Sequence, residues 1–334
     1  MRTGHLRHRR RAGRWVAAVG VTSLAAAALV VAIPSAAQAA PSSSTSYYVT
    51  ANDTTWAYNR GCDLGTKDQN TAGTQTHHAI LDFGAMYQAS SGTWYVTAFS
   101  GADFTLVNAR HMAEQFGRGY WVCTGSDTAS TVYVGLGTNN SAGDITSAAG
   151  AALATQARAG WDYLAANYPQ ARVIGANDFE SWGKGSSNAT AARNWIDGYN
   201  GYSNKVYFVN FGSADGCPQT STPSATSCNA GLPAESIWRV SWSGVAYPLP
   251  EIYATSGANA KQWRYLSLYS ALNHSSKFLF KGVMTQSGAC SQSSGGCPGA
   301  DNGPATGWDQ LNTQVNADTR TATTPDSPTD IRWK

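Results

Sequence analysis

Residues 171–180, Ala-Arg-Val-Ile-Gly-Ala-Asn-Asp-Phe-Glu, form an apolar run that ends in two carboxylates two positions apart. Side chains at i and i+2 of a strand share a face, so Ile174, Ala176, Asp178 and Glu180 line up with the acids at the carboxyl end. Counting this run as 171–178, eight β-type segments can be read, the others being 79–84, 119–123, 131–137, 205–211, 236–242, 250–254 and 278–285. Between them lie helical stripes: Leu106, Ala109, Ala113 and Phe116; Leu153, Ala157, Trp161 and Leu164; Ala192, Trp195, Ile196 and Tyr199. Trp308, Leu311 and Val315 suggest a terminal helix. Strands alternating with helices predict an α/β fold with parallel strands, and eight strands are enough to close a barrel. The loop from Cys217 to Cys228 stands where a helix is expected, and 242–250 is too short for a crossover helix. The predicted fold is therefore an irregular (β/α)8 barrel of the TIM type, disulfide-stapled and missing helices in its second half. The β-type run 94–99 either decorates the long loop after the first strand or is itself the second strand.

The chain of 334 residues opens on Arg2, Arg7, Arg9, Arg10, Arg11 and Arg14, followed by an apolar stretch over 16–34 and the small-residue triplet Ala37-Gln38-Ala39. That succession predicts a secretory signal peptide over 1–39. A flexible lead-in over 40–60, a single barrel domain over 61–320 and a polar tail over 321–334 complete the expected organisation. Without the leader, seventeen basic and twenty acidic residues remain, a formal charge of −3. A nucleic-acid partner is excluded on that balance, since the body has neither a Lys/Arg run nor net positive charge. No membrane association is expected once the leader is removed, and the chain reads as a monomer. All six cysteines lie after the leader, an even number suited to an oxidising compartment. Short Gly/Pro/Ser-rich intervals favour Cys217 with Cys228 and Cys290 with Cys297, which leaves Cys62 for Cys123.

Candidate chemistry gathers on carboxylates. If Asp82 points inward from its strand, it joins Asp178 and Glu180 at one barrel mouth. Ionised together they repel, so at least one holds a proton near neutral pH, which is what glycosidic bond cleavage needs from a general acid. Around them, strand ends and neighbouring loops offer Asn139, Asn177, Trp182, Asn210, Asp215, Trp242, Tyr253 and Gln286 as substrate-binding groups. No cofactor is called for: dinucleotide glycine fingerprint, P-loop and G-x-S-x-G elbow are all missing. No metal is expected either, because no C-x-x-C or H-x-x-x-H spacing occurs and His77 and His78 are adjacent.

The inward Asp of Ile80-Leu81-Asp82-Phe83, the Asp178-Phe179-Glu180 strand end and a barrel short of helices resemble the lysozyme-type glycoside hydrolases of family 25 and their secreted relatives. The resemblance covers most of 79–286. It implies Glu180 as the acid, Asp178 and Asp82 as carboxylates that position the substrate acetamido group or water, and an N-acetylhexosamine polymer such as peptidoglycan as substrate. Asn177, where that family usually has an apolar residue, and the long disulfide loops depart from its pattern. The alternative is a non-catalytic glycan- or cell-wall-binding protein on the same barrel.

Overall fold

A computed structural model describes residues 38–181, 188–229 and 231–334; the expected leader falls almost wholly outside them. The first strand, β1 (Ser44–Tyr48), lies inside the predicted flexible lead-in, and the last, β12 (Thr329–Trp333), lies inside the predicted polar tail. They pair in parallel with each other, Ser44 opposite Thr329 through Tyr48 opposite Trp333. Their Ser and Thr residues look like linker composition, yet in the sheet the buried hydroxyls of Ser44, Ser46 and Thr329 are satisfied. Ser46 Oγ meets Thr329 Oγ1 at 2.7 Å and accepts from the Ile80 amide at 2.8 Å, and Ser44 Oγ donates to the His78 carbonyl at 2.7 Å.

From β1 the chain runs through α1 (Thr54–Gln69) to β2 (Thr76–Gln88), whose far end is extended by the antiparallel pair β3 (Trp94–Thr97) and β4 (Asp103–Thr105). The 94–99 run thus decorates the loop after β2. Next come α2 (Leu106–Cys123), β5 (Thr131–Asn139), α3 (Ser147–Asn167), β6 (Ala171–Asp178), α4 (Asn188–Gly201) and β7 (Phe208–Asn210). A two-residue pair, β8 (Cys228–Asn229) with β9 (Leu232–Pro233), precedes α5 (Ala234–Trp242), β10 (Ala246–Pro248) and α6 (Ala258–Asn273). The chain ends with β11 (Met284–Thr285), α7 (Ser287–Gln292), α8 (Pro304–Asn316) and β12.

Eight strands form one curled parallel sheet in the order β10-β7-β6-β5-β2-β1-β12-β11. Beyond β10, Glu251 bridges in parallel to Met284 of β11, supported by Met284 N donating to the Pro250 carbonyl and Ile252 N to the Met284 carbonyl.

Two predicted strands are helices. The run 119–123 continues the buried stripe of α2 through Tyr120, and Thr105 caps that helix by accepting from the Asn108 amide. The run 236–242 is α5, with Ile237 and Val240 on its buried face, Glu235 in its first turn and Arg239 in its last, both suited to the helix dipole. Among the described residues the second half carries α5, α6, α7 and α8, and the expectation of missing helices there is corrected: a short β-prone sequence yields to packing when its apolar residues also fit a helical stripe.

The alternation within each strand separates two cores. Leu81, Phe83, Val134, Leu136 and Val173 face the helices, while Ile80, Ile174, Ala176, Val209, Phe211, Leu249, Met284 and Ile331 fill the inside of the curl. Below this inner layer His78 stacks on Tyr133, with centroids 5.2 Å apart, and bonds the Tyr207 hydroxyl at 2.8 Å. Burial pushes the imidazole down to about 3, so this end is closed by a neutral plug.

Helices pair closely around the sheet. A Cβ at Gly61 or Gly65 of α1 would overlap α2 carbonyls, and Cys62–Cys123 staples the same pair; Cys217–Cys228 and Cys290–Cys297 also form as expected. In α3 and α4, a Cβ at Gly150 would overlap the Trp195 carbonyl. Gly150→Ala should therefore cost about 1–3 kcal/mol in urea unfolding by forcing α3 and α4 apart. Gly201→Ala, in the same helix pair but with no atom near its Cβ, should leave stability unchanged or raise it by up to about 1 kcal/mol.

Candidate functional site

Strand β2 sends Ile80 into the inner core, and with it Asp82 two residues on. Its register to β5 shifts between Asp82 and Ala85, a bulge turned by Gly84 at φ +80°. The Gly84 amide donates to Asp82 Oδ1 at 2.9 Å, while Oδ2 has no hydrogen-bond partner among the described residues. Opposite Asp82 in register stands Gly137, which brings no side chain that could neutralise or bond it. Asp82 is 0 % exposed, and desolvation raises its carboxyl to about 7.

On β6, Ile174 and Ala176 belong to the inner core and Asp178 follows on the same face, beside Asn139 of β5 in register. The backbone at Glu180 is held by two amides: Asn140 accepts from the Glu180 N–H at 3.0 Å and donates to its carbonyl at 2.9 Å, and Asn188 donates to that carbonyl at 2.8 Å. The Glu180 side chain, in a residue 5 % exposed, accepts from Ser213 Oγ at 2.7 Å.

A third acid completes the cluster. Leu249 lies in the inner core, Glu251 follows two residues later, and one oxygen each from Asp178, Glu180 and Glu251 lie within 4.8 Å of one another. Burial raises all three carboxyls above their ordinary range. The charges of Glu180 and Asp82 add to it at Asp178, and those of Glu180 and Asp178 add to it at Glu251. The Ser213 hydroxyl opposes the rise at Glu180, and Tyr253 opposes it at Glu251. Among the described residues, none of the four acids pairs with Lys, Arg or His. Such a cluster holds protons near neutrality, and oxygens this close can also be bridged by a hard divalent cation.

The other predicted residues divide. Asn139 sits at the mouth, its Oδ1 accepting from Ser141. Tyr253 interacts with Glu251 and Tyr48. Asp215, on the loop after β7, lies near enough to raise Glu180. Gln286 follows β11 but spends its amide on the Ala300 carbonyl at 2.9 Å. Three placements are corrected. Asn177 and Asn210 alternate with inward residues and so face the helices, where Asn177 donates to Thr138 Oγ1 at 2.7 Å and Asn210 to Ser241 Oγ at 2.8 Å. Trp242 ends a helix and not a strand; its Nε1 bonds Ser276 at 2.9 Å and its ring packs on Tyr247 and Phe278. Trp182 lies outside the described residues.

Beside the acids stands an aromatic group that the sequence pattern does not reveal. Tyr48, in register with both Asp82 and Trp333, feels the charges of Glu251, Asp178 and Asp82. Its ring lies 4.6 Å from that of Trp333 and 4.9 Å from that of Phe99, centroid to centroid. The sequence signal was available for Glu251, two residues beyond Leu249 at the end of an apolar run; the flanking prolines Pro248 and Pro250 obscured it.

Asp82 makes a pH-dependent contribution to stability. Its folded pKa of about 7 lies above its ordinary 3.8, so between those values the unfolded chain binds fewer protons and stability falls as pH rises, levelling off above 7. Asp82→Asn keeps the acceptor for Gly84 without the ionisation cost. It should match the parent at pH 3 and exceed it at pH 8 by up to ~4 kcal/mol in urea unfolding; equal destabilisation at both pH values would show the carboxyl is not protonated by burial.

No protein-family model matches this chain, and no curated protein sequence matches it.

Proposed function

We propose that this chain is a secreted glycoside hydrolase-like protein acting on a cell-wall or other N-acetylhexosamine-containing polysaccharide, on an irregular (β/α) barrel closed through the Glu251–Met284 bridge. The observation that carries the reading is the cluster of Asp178, Glu180 and Glu251, with oxygens within 4.8 Å, at the carboxyl ends of parallel strands. Carboxyls that share protons provide a donor and an anion side by side, the pair that glycosidic cleavage requires. Acids in such close contact suit a retaining mechanism, whose carboxyls lie about 5–5.5 Å apart, better than an inverting one, at about 6.5–9.5 Å. Three disulfides, the predicted leader and the lack, among the described residues, of a helix long and apolar enough to cross a membrane fit an extracellular protein.

In this mechanism Glu180 donates its proton to the glycosidic oxygen as the bond to the anomeric carbon breaks, and the leaving sugar departs as an alcohol. Glu251, in its ionised form, attacks the anomeric carbon and forms a glycosyl ester. Water, losing its proton to Glu180, then attacks the same carbon and releases Glu251 and a hemiacetal of retained configuration. Asp178 and Asp82 orient the acetamido group or the water. Near-complete burial of Glu180 favours a second reading, a non-catalytic glycan-binding protein on the same mouth.

Turnover of peptidoglycan and of N-acetylglucosamine oligomers tests this. Glu180→Gln and Glu251→Gln should each lower kcat by about 10² or more without lowering the melting temperature, and the first-formed product should carry retained anomeric configuration by NMR. Rate should fall on the alkaline side as the last shared proton leaves, and on the acid side as the last carboxylate is protonated. Hydrolysis untouched by Glu180→Gln would overturn the assignment, and binding without hydrolysis would replace it with the second reading.

A further inference from the structure

Tyr48, Phe99 and Trp333 come from three separate parts of the chain: the end of β1, the loop after β3 and the end of β12. Their rings make one continuous surface. Tyr48 and Trp333 pack on one another at a tilt of 36° to form a ledge, while Phe99 stands at 64° to the first and 77° to the second, with its centroid 5.6 Å from Trp333. Phe99 is 39 % exposed and Trp333 36 %, in a protein that buries Trp195, Trp263 and Trp308 completely or nearly so. Large aromatic faces left in water forgo the gain of burial, and grouped together they mark a binding surface.

The surface is held in place by backbone bonds. Gln292 clamps Trp333 from both sides, its Oε1 accepting from the Trp333 amide at 2.8 Å and its Nε2 donating to the Trp333 carbonyl at 3.1 Å. The Phe99 amide donates to the Val49 carbonyl at 3.2 Å, and the Lys334 amide to the Tyr48 carbonyl at 3.2 Å. Little ordering is therefore left to be done on binding. The ledge is also continuous with the acids, because Tyr48 stands opposite Asp82 in register and lies within the electrostatic reach of Glu251, Asp178 and Asp82.

A ligand that fits this arrangement has a flat apolar face for the ledge and a polar rim for the acids. Pyranose rings have that build, with C–H bonds on one face and hydroxyl or acetamido groups around the edge. A quaternary ammonium group would also pair acids with aromatics, but it needs rings arranged around an open centre. Here the rings touch one another, leaving no such centre. We infer that Tyr48, Phe99 and Trp333 form a stacking subsite for a pyranose ring of the glycan, next to the ring whose bond is cleaved. The inference rests on the glycoside hydrolase reading and names the grip that reading lacks.

The test separates the two. In a Glu180→Gln background, where the ligand is not consumed, an N-acetylglucosamine hexamer is titrated by calorimetry and by tryptophan fluorescence. Adding Trp333→Ala or Phe99→Ala should weaken binding about tenfold or more, and Trp333→Phe should recover most of it at unchanged melting temperature. With Glu180 restored, Trp333→Ala should raise KM more than it lowers kcat. Binding indifferent to both alanine variants overturns the subsite even if hydrolysis is real. Binding that depends on them without any hydrolysis keeps the subsite and removes the catalytic reading. No binding of the hexamer to the Glu180→Gln protein, or its displacement by choline, overturns the subsite as well.

Discussion

A parallel strand cannot send Ile80 inward without sending Asp82 inward too, and the same two-residue alternation carries Ile174 and Ala176 to Asp178 and Leu249 to Glu251. The rest of the site depends on that constraint. Apolar residues fill the curl from below, so the acids that follow them are delivered to a place where water is scarce and no basic side chain among the described residues balances them. Glycine on β5 sharpens the effect: Gly135 and Gly137 bring no side chain between Ile80 and Asp82 on β2 and Ile174 and Ala176 on β6.

Such an arrangement works against stability, and the surroundings are built to withstand it. Holding carboxyls with raised pKa costs the folded state free energy at neutral pH, where the unfolded chain can ionise them freely. The compensation lies in the outer layer, where glycine contacts bring α1 against α2 and α3 against α4 at backbone distance, three disulfides close loops, and the largest aromatic rings are buried. The amide bracket of Asn140 and Asn188 on Glu180 has a different effect: it spends no charge, leaves the carboxyl free to titrate, and fixes its backbone in one place.

What could be read from the sequence follows the same logic. Asp82, Asp178 and Glu180 were legible because long apolar runs precede them and set their register. Glu251 was not, because β10 is three residues long and the chain reaches the acid through Pro-Leu-Pro, where alternation is hard to recognise. Strands β1 and β12 were hidden by Ser and Thr, whose hydroxyls are satisfied by partners far along the chain, as Ser44 is by His78 and Ser46 by Thr329. Helix α5 reads as a strand in the sequence because seven residues of mixed apolar character fit either period, and packing decides between them.

The aromatic residues make the point most fully. A tryptophan at an apparent strand end, Trp242, is a packing residue once its strand proves to be a helix, whereas Trp333, in what looked like a polar tail, reaches the mouth because the tail is the strand beside β1. Proximity to the acids was thus set by pairing between the two ends of the folded chain, a long-range fact that composition cannot carry. The same pairing puts Tyr48 opposite Trp333 and next to Asp82, so one register joins the ring surface to the carboxyl cluster. A slip of one residue in β12 would turn Trp333 to the other face and uncouple the two. The bond between Ser46 and Thr329, buried and specific to one register, is placed to prevent that slip.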